Sequence, residues 1–269
     1  MLTHQGKMPR YLKPLPHTKL PDELYYEIFS FLTYDDGKGL TSSCRRFNGL
    51  VREPFQFTLP PMIIFQTAQD RSDVVMEIYK IGTRLDISHR FITSLPPKIG
   101  DLSSLTRLDL CNNQLASLPS DIGSLYNLVR LDISGNRLTS LPPEIGKLHK
   151  LTNLNIGKNQ LISLPPEIGD LYNLNSLYIY DNHLTTLPPE IGKLHKLARL
   201  NMNDNEIMSL PPEIGNLNNI VYLDIASNYL TSLPSEIRNL RKLVYLYIRY
   251  NQFASLPLEI QHLVNNEQM

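Results

Sequence analysis

Apolar and polar positions follow one fixed frame over most of this chain. From Leu128 the sequence reads LVRLDISGNRLTSLPPEIGKLHK, and the next 23 residues, from Leu151, read LTNLNIGKNQLISLPPEIGDLYN. The same frame begins at Gly82, Leu105, Leu174, Leu197, Ile220 and Leu243, so eight copies follow one another from Gly82 to Asn265 without insertion. Within a copy, Leu131 and Ile133 alternate with Arg130, Asp132 and Ser134. Period two over this stretch predicts a short strand with one buried face. Gly135-Asn136 then supplies turn chemistry. The later LPPEIG stretch carries paired prolines and cannot lie inside a sheet. It predicts a short extended piece followed by a helical turn, with Ile145 and Leu148 pointing inward.

Asparagine recurs after the strand in seven of the eight copies: Asn113, Asn136, Asn159, Asn182, Asn205, Asn228 and Asn251. A buried amide without partners costs a few kcal/mol. Repeated at one spacing, the asparagines can form a ladder, each side chain bonding the backbone of the neighbouring turn. One copy cannot bury its own apolar face, whereas stacked copies can. The pattern LxxLxLxxNxL followed by xxLPxxIGxLxx resembles the leucine-rich repeat. Its LPPEIG form is similar to the intracellular, Ras-suppressor-like and bacterial subclasses. The resemblance implies an α/β right-handed solenoid with a parallel sheet on its concave side. Eight strands about 4.8 Å apart give a concave arc of roughly 35 Å. The loops SLYNL, KLHKL, DLYNL and KLHKL alternate between 124 and 197. That alternation points to duplication of a two-repeat unit and promises no chemistry of its own.

The first 57 residues have a different texture. Residues 1–19 carry Lys7, Arg10, Lys13 and Lys19 with no acid, and read as a flexible basic tail. Residues 20–57 predict helices. Pro21 suits a first helical residue, and Asp22 and Glu23 favour the positive helix end. Leu24, Ile28 and Phe31 make one apolar stripe, and Tyr25, Phe29 and Leu32 a second. A helix apolar on two faces requires burial on two sides. A second helical stretch follows, with Leu40, Cys44, Phe47 and Leu50 inward, yet the segment is too small for a core of its own. LPDEL…IF..L…D…L…CRRF..LV..P resembles the F-box, at Leu20, Pro21, Leu24, Ile28, Leu32, Asp36, Leu40, Cys44, Arg45, Phe47 and Pro54. It departs from that pattern at Gly37, Gly39 and Ser43, and closes on Phe57 where the family has Trp. The resemblance implies docking on the Skp adaptor of cullin-based SCF ubiquitin ligases through Leu20, Pro21, Leu24, Ile28, Leu32, Leu40, Cys44, Phe47 and Leu50. The repeats would then hold a substrate. Bacterial effectors that enter eukaryotic cells include similar F-box proteins, and the short near-identical repeats look like those as much as like a host protein.

Residues 58–81 join the two parts. The apolar run Met62 to Phe65 and the helical face Val74, Val75 and Ile78 predict a cap over the open solenoid end. The first copy has Gly82 for Leu and Arg90 for Asn, as an end repeat would. After the repeats of 82–265, the tail 266–269 follows, and Leu258 to Met269 predict no capping helix.

Composition narrows the function. The net charge is zero, so no strong field draws the chain to nucleic acid or a membrane surface. The hydrophobic share of 42% is ordinary for a folded chain. Two distant cysteines, Cys44 and Cys111, point to a reducing compartment, and the F-box resemblance then implies the cytoplasm of a eukaryotic cell, or host cytoplasm for an effector. No apolar run is long enough to span a membrane. There is no GxGxxG, P-loop or GxSxG, and no His/Cys/carboxylate set at metal spacing, so neither enzyme, cofactor nor metal is expected.

Outward-facing strand positions carry the binding chemistry. The middle position of the strand reads Asp86, Asp109, Asp132, Asn155, Tyr178, Asn201, Asp224, Tyr247 down the array. Two residues earlier stand Arg84, Arg107, Arg130, Asn153, Ser176, Arg199, Tyr222 and Tyr245. In the first three copies the Arg and Asp columns predict a self-satisfied surface network of exposed pairs. In the last four, Tyr178, Tyr180, Tyr222, Tyr245, Tyr247 and Tyr250 gather with Arg199, Asp224 and Arg249, a composition typical of interface hot spots. These are the candidate target-binding residues. The competing reading is that tyrosine merely suits strand positions. The expected protein is therefore a non-enzymatic substrate receptor, and its rival a repeat scaffold whose N-terminal helices only cap the solenoid.

Overall fold

The computed structural model describes residues 57–58, 83–95 and 97–261. The basic tail, the proposed cap and the nine adaptor-docking residues from Leu20 to Leu50 lie outside the described residues.

Each copy closes one turn of a solenoid. Its three-residue strand pairs in parallel with the equivalent residues of the next copy. The strands run β1 (Phe57–Thr58), β2 (Arg84–Asp86), β3 (Arg107–Asp109), β4 (Arg130–Asp132), β5 (Asn153–Asn155), β6 (Ser176–Tyr178), β7 (Arg199–Asn201), β8 (Tyr222–Asp224) and β9 (Tyr245–Tyr247), in that spatial order. The sheet thus has nine strands, one beyond the eight the repeats predict. Phe57 pairs with Leu85 and Thr58 with Asp86, so β1 supplies partners to the otherwise open edge of β2.

On the convex side each of the first seven copies makes a five-residue 3-10 helix, such as Pro143–Lys147 and Pro166–Asp170. The paired prolines explain the switch. Pro142 is extended at φ −68° and ψ 144°, and Pro143 opens the helix where no donor is missed. A 23-residue turn leaves room for little more than one tight helical turn. Successive 3-10 helices stack closely because their fourth residue is glycine. A Cβ on Gly146 would stand 2.7 Å from the Glu167 carbonyl oxygen. In the last 3-10 helix, Ser235–Asn239, the fourth residue is Arg238, and the turn that follows is an α-helix, Leu258–Gln261. That turn falls where the repeat frame puts the helical turn of each copy, and it is α-helical rather than 3-10. Ile260 is 3% exposed and joins the core, with Phe253 and Leu256 packed beside it.

The core is a stack of leucine and isoleucine. Leu131, Ile133, Leu138, Leu141, Ile145, Leu148 and Leu151 are all buried, and their equivalents repeat this in the first seven copies. Each such side chain contributes about 1.5–3 kcal/mol relative to exposure. The asparagine ladder runs beside them. Asn182 Nδ2 donates to the carbonyls of Ile156, Ile179 and Tyr180, each at 3.1 Å, and its Oδ1 accepts from Leu161 N–H at 3.0 Å. The other ladder residues from Asn136 to Asn251 repeat this set. At the first copy, where Arg90 replaces asparagine, Asn113 Oδ1 accepts from both Arg90 N–H and Ile92 N–H. The residue before each ladder asparagine is left-handed, with φ 55° at Lys158, 53° at Asp204 and 57° at Tyr250, yet only Gly135 is a glycine.

The two-repeat alternation does carry chemistry, contrary to the sequence reading. Lys150, Lys196 and Lys242 donate from Nζ to Asn127, Asn173 and Asn219 in the preceding copies, at 2.7, 2.7 and 2.6 Å. Those asparagines in turn donate to the carbonyls of Ser103, His149 and His195. His149 and Tyr172 stack at 5.3 Å between ring centroids. Doublets bond along one flank of the solenoid, which single copies of either type could not do.

Candidate protein-binding face

The parallel register turns sequence columns into surface stripes. Arg107 lies beside Arg130, Arg199 beside Tyr222, Tyr222 beside Tyr245 and Asp224 beside Tyr247. Neighbouring strands are about 4.8 Å apart, so residues 23 positions apart in sequence become contacts.

In the first copies the acids are satisfied, but not as predicted. Asp86, Asp109 and Asp132 each accept the backbone N–H two residues later, from Ser88 at 3.0 Å, Cys111 at 3.2 Å and Ser134 at 3.1 Å. Asn155, Asn201 and Asp224 do the same further along. Six of the eight positions thus form Asx-type turns at the strand end, the exceptions being Tyr178 and Tyr247. Among the described residues only Arg130 pairs with its column neighbour, at 4.0 Å from Asp132, and the Arg130 side chain is 47% exposed. Such a pair contributes about 0–1 kcal/mol.

Sheet pairing also brings Asp109, Cys111 and Asp132 together, their donor atoms within 4.8 Å of one another. Linear spacing gave no sign of this set. Burial pushes the Cys111 thiol up to about 12, and the hydrogen bond to Asp109 with the charges of Asp109 and Asp132 push the same way. The thiol is therefore held protonated at neutral pH, unlike a nucleophile or a free ligand. Each carboxylate already accepts a backbone N–H.

The predicted tyrosine surface divides in two. Tyr180 does not join the others. Its ring lies over Gly157, where a Cβ would overlap it, and its hydroxyl feels the charge of Asp132. Tyr180 thus fills the groove left by a missing side chain one copy earlier. Burial raises its pKa, and Asp132 and Asp181 add to this.

The other half assembles. Tyr222 contacts Tyr247 at 5.3 Å between centroids and 44°, and Tyr245 at 6.4 Å and 45°. Tyr222 Oη donates to Asp224 Oδ2 at 3.2 Å, and Asp224 Oδ1 accepts from Ala226 N–H at 3.2 Å. Burial, then the Asp224 charge, pushes the Tyr222 phenol up to about 12. Asp224 is raised as well, first by burial and further by Asp204, against the lowering bonds from Ala226 and Tyr222. Tyr178 is close enough for its charge to act on Tyr222. Arg199 is exposed on the neighbouring strand. Arg249 is exposed beyond β9, and Tyr250 is 78% exposed on the left-handed turn rather than in the strand row. Sequence reasoning missed Val244, 54% exposed beside Tyr245, and Asp204, whose charge reaches Asp224. The equivalent position holds Thr83, Thr106 and Thr152 but also Val129 and Val221, so no sequence signal marked Val244.

Comparison with known proteins agrees with the geometry. A family model described as leucine rich repeat matches residues 83–138 and 149–207, a two-copy leucine rich repeat model matches 126–170, and a leucine-rich repeat region model matches 190–269. These matches begin after residues 20–57, and no F-box domain is detected. No curated protein sequence matches the chain. Among solved structures, a leucine-rich repeat protein of Leptospira interrogans is 34% identical, over 70% of this chain and 53% of that one, with a TM-score of 0.56. A TDR receptor is 31% identical over 77% of this chain and 38% of its own, with a TM-score of 0.68. The plant peptide hormone receptor RGFR1, solved in complex with RGF2, is 34% identical over 66% of this chain and 29% of its own, at 0.60. The chain therefore spans about half or less of these relatives.

Proposed function

The described part of this chain is a leucine-rich repeat solenoid, and on that premise we propose a non-enzymatic protein-interaction module whose concave face captures a target protein. The observation that carries this is the exposed aromatic cluster of the last two copies, with Tyr245 54% and Tyr247 36% exposed. Large rigid rings with polar tips, left uncovered on a concave sheet, are the composition of interface anchors. The tyrosines suit strand positions too, but β-propensity alone does not explain their restriction to one half of the array. A plant receptor of similar fold solved with a peptide hormone supports the same use of the fold.

The finer reading is that residues 20–57 dock the Skp adaptor and make the chain a substrate receptor of an SCF ubiquitin ligase in the cytoplasm of a eukaryotic cell. It rests on the LPDEL…CRRF pattern. The protein would supply proximity between target and ligase rather than catalytic groups. The test is to mix the purified full chain with the Skp adaptor and measure complex formation by size exclusion and calorimetry. Leu24→Asp with Ile28→Asp serves as control. Stable complex with the parent and none with the control supports the ligase role. No complex from a well-folded chain leaves a leucine-rich repeat scaffold and removes the ubiquitin reading.

A further inference from the structure

We propose that the cluster of Tyr222, Tyr245, Tyr247 and Asp224 takes an arginine side chain presented by the target protein. This deepens the concave-face reading and rests on it.

The argument begins with an uncompensated carboxylate. Asp224 uses one lone pair on Oδ1 for Ala226 N–H and one on Oδ2 for the Tyr222 hydroxyl. A carboxylate offers about four such sites, so each oxygen retains one. Among the described residues the ion pairs are Arg130 with Asp132 and His183 with Glu206, so no cation pairs with Asp224. Arg199 lies in register beside Tyr222 and Arg249 follows Tyr247 by two residues, and neither pairs with Asp224. Asp204 adds a second negative charge close enough to act on Asp224. The folded chain therefore holds a half-buried anion that gains from any cation brought to it.

The rings decide the shape of that cation. Tyr245 and Tyr247, both on β9, contact Tyr222 at tilts of 45° and 44° and remain partly exposed, so aromatic surface is available beside the carboxylate. A planar guanidinium stacks on an aromatic face and can bond both oxygens of one carboxylate. An ammonium matches the charge but neither the plane nor the fork. A target carboxylate or phosphate meets Asp224 and Asp204 as like charges and is disfavoured here. The position suits a recognition site, because Tyr245 and Tyr247 stand 54% and 36% exposed on it.

The experiment uses the full chain with ring protons of its tyrosines observed by NMR. The probes are four blocked five-residue peptides, Ac-Ser-Gly-X-Gly-Ser-NH2, with arginine, lysine, citrulline or glutamate at X. Citrulline keeps the size and plane of arginine and loses its charge. The expected result is saturable shifts at the Tyr222, Tyr245 and Tyr247 rings with the arginine peptide, and binding weaker by roughly tenfold or more with citrulline. Asp224→Asn should weaken arginine binding by a similar factor while leaving the turn intact, since Asn155 and Asn201 make the same backbone bond in this column. Tyr245→Ala, at an exposed position, should weaken it independently. Equal binding of arginine and citrulline, or no effect of Asp224→Asn, overturns the proposal. Shifts of the same rings by the glutamate peptide also overturn it, while leaving the face as a recognition surface for an acidic target. No shift with any peptide overturns the arginine assignment alone, since target capture by the face is read separately by photo-crosslinking from Tyr250.

Discussion

The ladder is the best place to test whether the repeat is held by buried polar bonds as well as by leucine packing. Consider Asn182→Ala. Asn182 is 5% exposed and makes four hydrogen bonds. Its three carbonyl partners are not left bare when it goes. Ile156 O keeps Asn159 Nδ2 at 3.0 Å, Ile179 O keeps Asn205 Nδ2 at 3.0 Å, and Tyr180 O keeps Lys158 N–H at 2.8 Å. The Leu161 N–H, buried in the core, loses the only partner it has. An orphaned buried donor costs about 1–3 kcal/mol, and the weakened carbonyl contacts add about 0.5 kcal/mol each at most, so the loss should be roughly 2–4 kcal/mol. Asn251→Ala removes the same set at the end of the ladder, but Asn251 is half-buried, and water can take over. It should cost about 1 kcal/mol.

Asn182→Asp sharpens the test. It keeps the volume and the acceptor for Leu161 but turns the three-carbonyl donor into an acceptor. At pH 7 it should be worse than alanine. The folded pKa of the introduced carboxyl would be raised above its unfolded value. Its penalty is therefore present at high pH and is relieved as pH falls through that folded pKa. Urea denaturation followed by far-UV circular dichroism measures all three, with m checked for change. Hydrogen exchange at the Leu161 amide reports the local effect. Asn182→Ala within about 0.5 kcal/mol of the parent, or equal to Asn251→Ala, would refute the reasoning.

Three further outcomes follow from the same geometry. Lys158→Gly removes a side chain from a residue at φ 55° and should gain up to about 1 kcal/mol in urea denaturation, whereas a loss would show that Lys158 makes contacts worth more than the strain. Gly169→Ala should cost about 1–3 kcal/mol, because its Cβ would stand 2.5 Å from the Glu190 carbonyl oxygen; thermal unfolding unchanged from the parent would mean the convex helices can slide apart. Asp224→Asn should raise stability at pH 7 by less than about 1 kcal/mol after solvent screening. The sign follows from the raised Asp224 pKa: its neutral form is favoured in the folded state, so stability is greatest below the unfolded carboxyl value and falls as pH rises through the folded one. The gain should therefore vanish below pH of about 4, and a gain that persists in acid would point to another cause.

What the sequence made legible was whatever a single copy determines. Leu131 and Ile133 announce the strand, Pro142 and Pro143 the convex turn, and Asn136 the ladder, because each obeys a rule local to one copy. What it hid depends on a neighbour 23 residues away. Tyr180 looks like its five companions until it is set beside Gly157, whose missing side chain gives the ring a groove to fill. The Asp column reads as a partner for the Arg column until the backbone N–H two residues on is seen to be nearer. Lys150 and Asn127 look like residues left over from duplication until stacking places them 2.7 Å apart. Ile260 was legible, since it falls in the frame of Ile145 and Ile237, but the α-helical form of its turn was not. The same logic explains why the cluster around Asp224 is a site at all. Core, turn and ladder positions are fixed by what one copy must do to fold. The outward strand positions are not, so their identities are free to differ between copies. Sheet pairing then assembles residues from β8 and β9 into one surface whose chemistry no single copy contains.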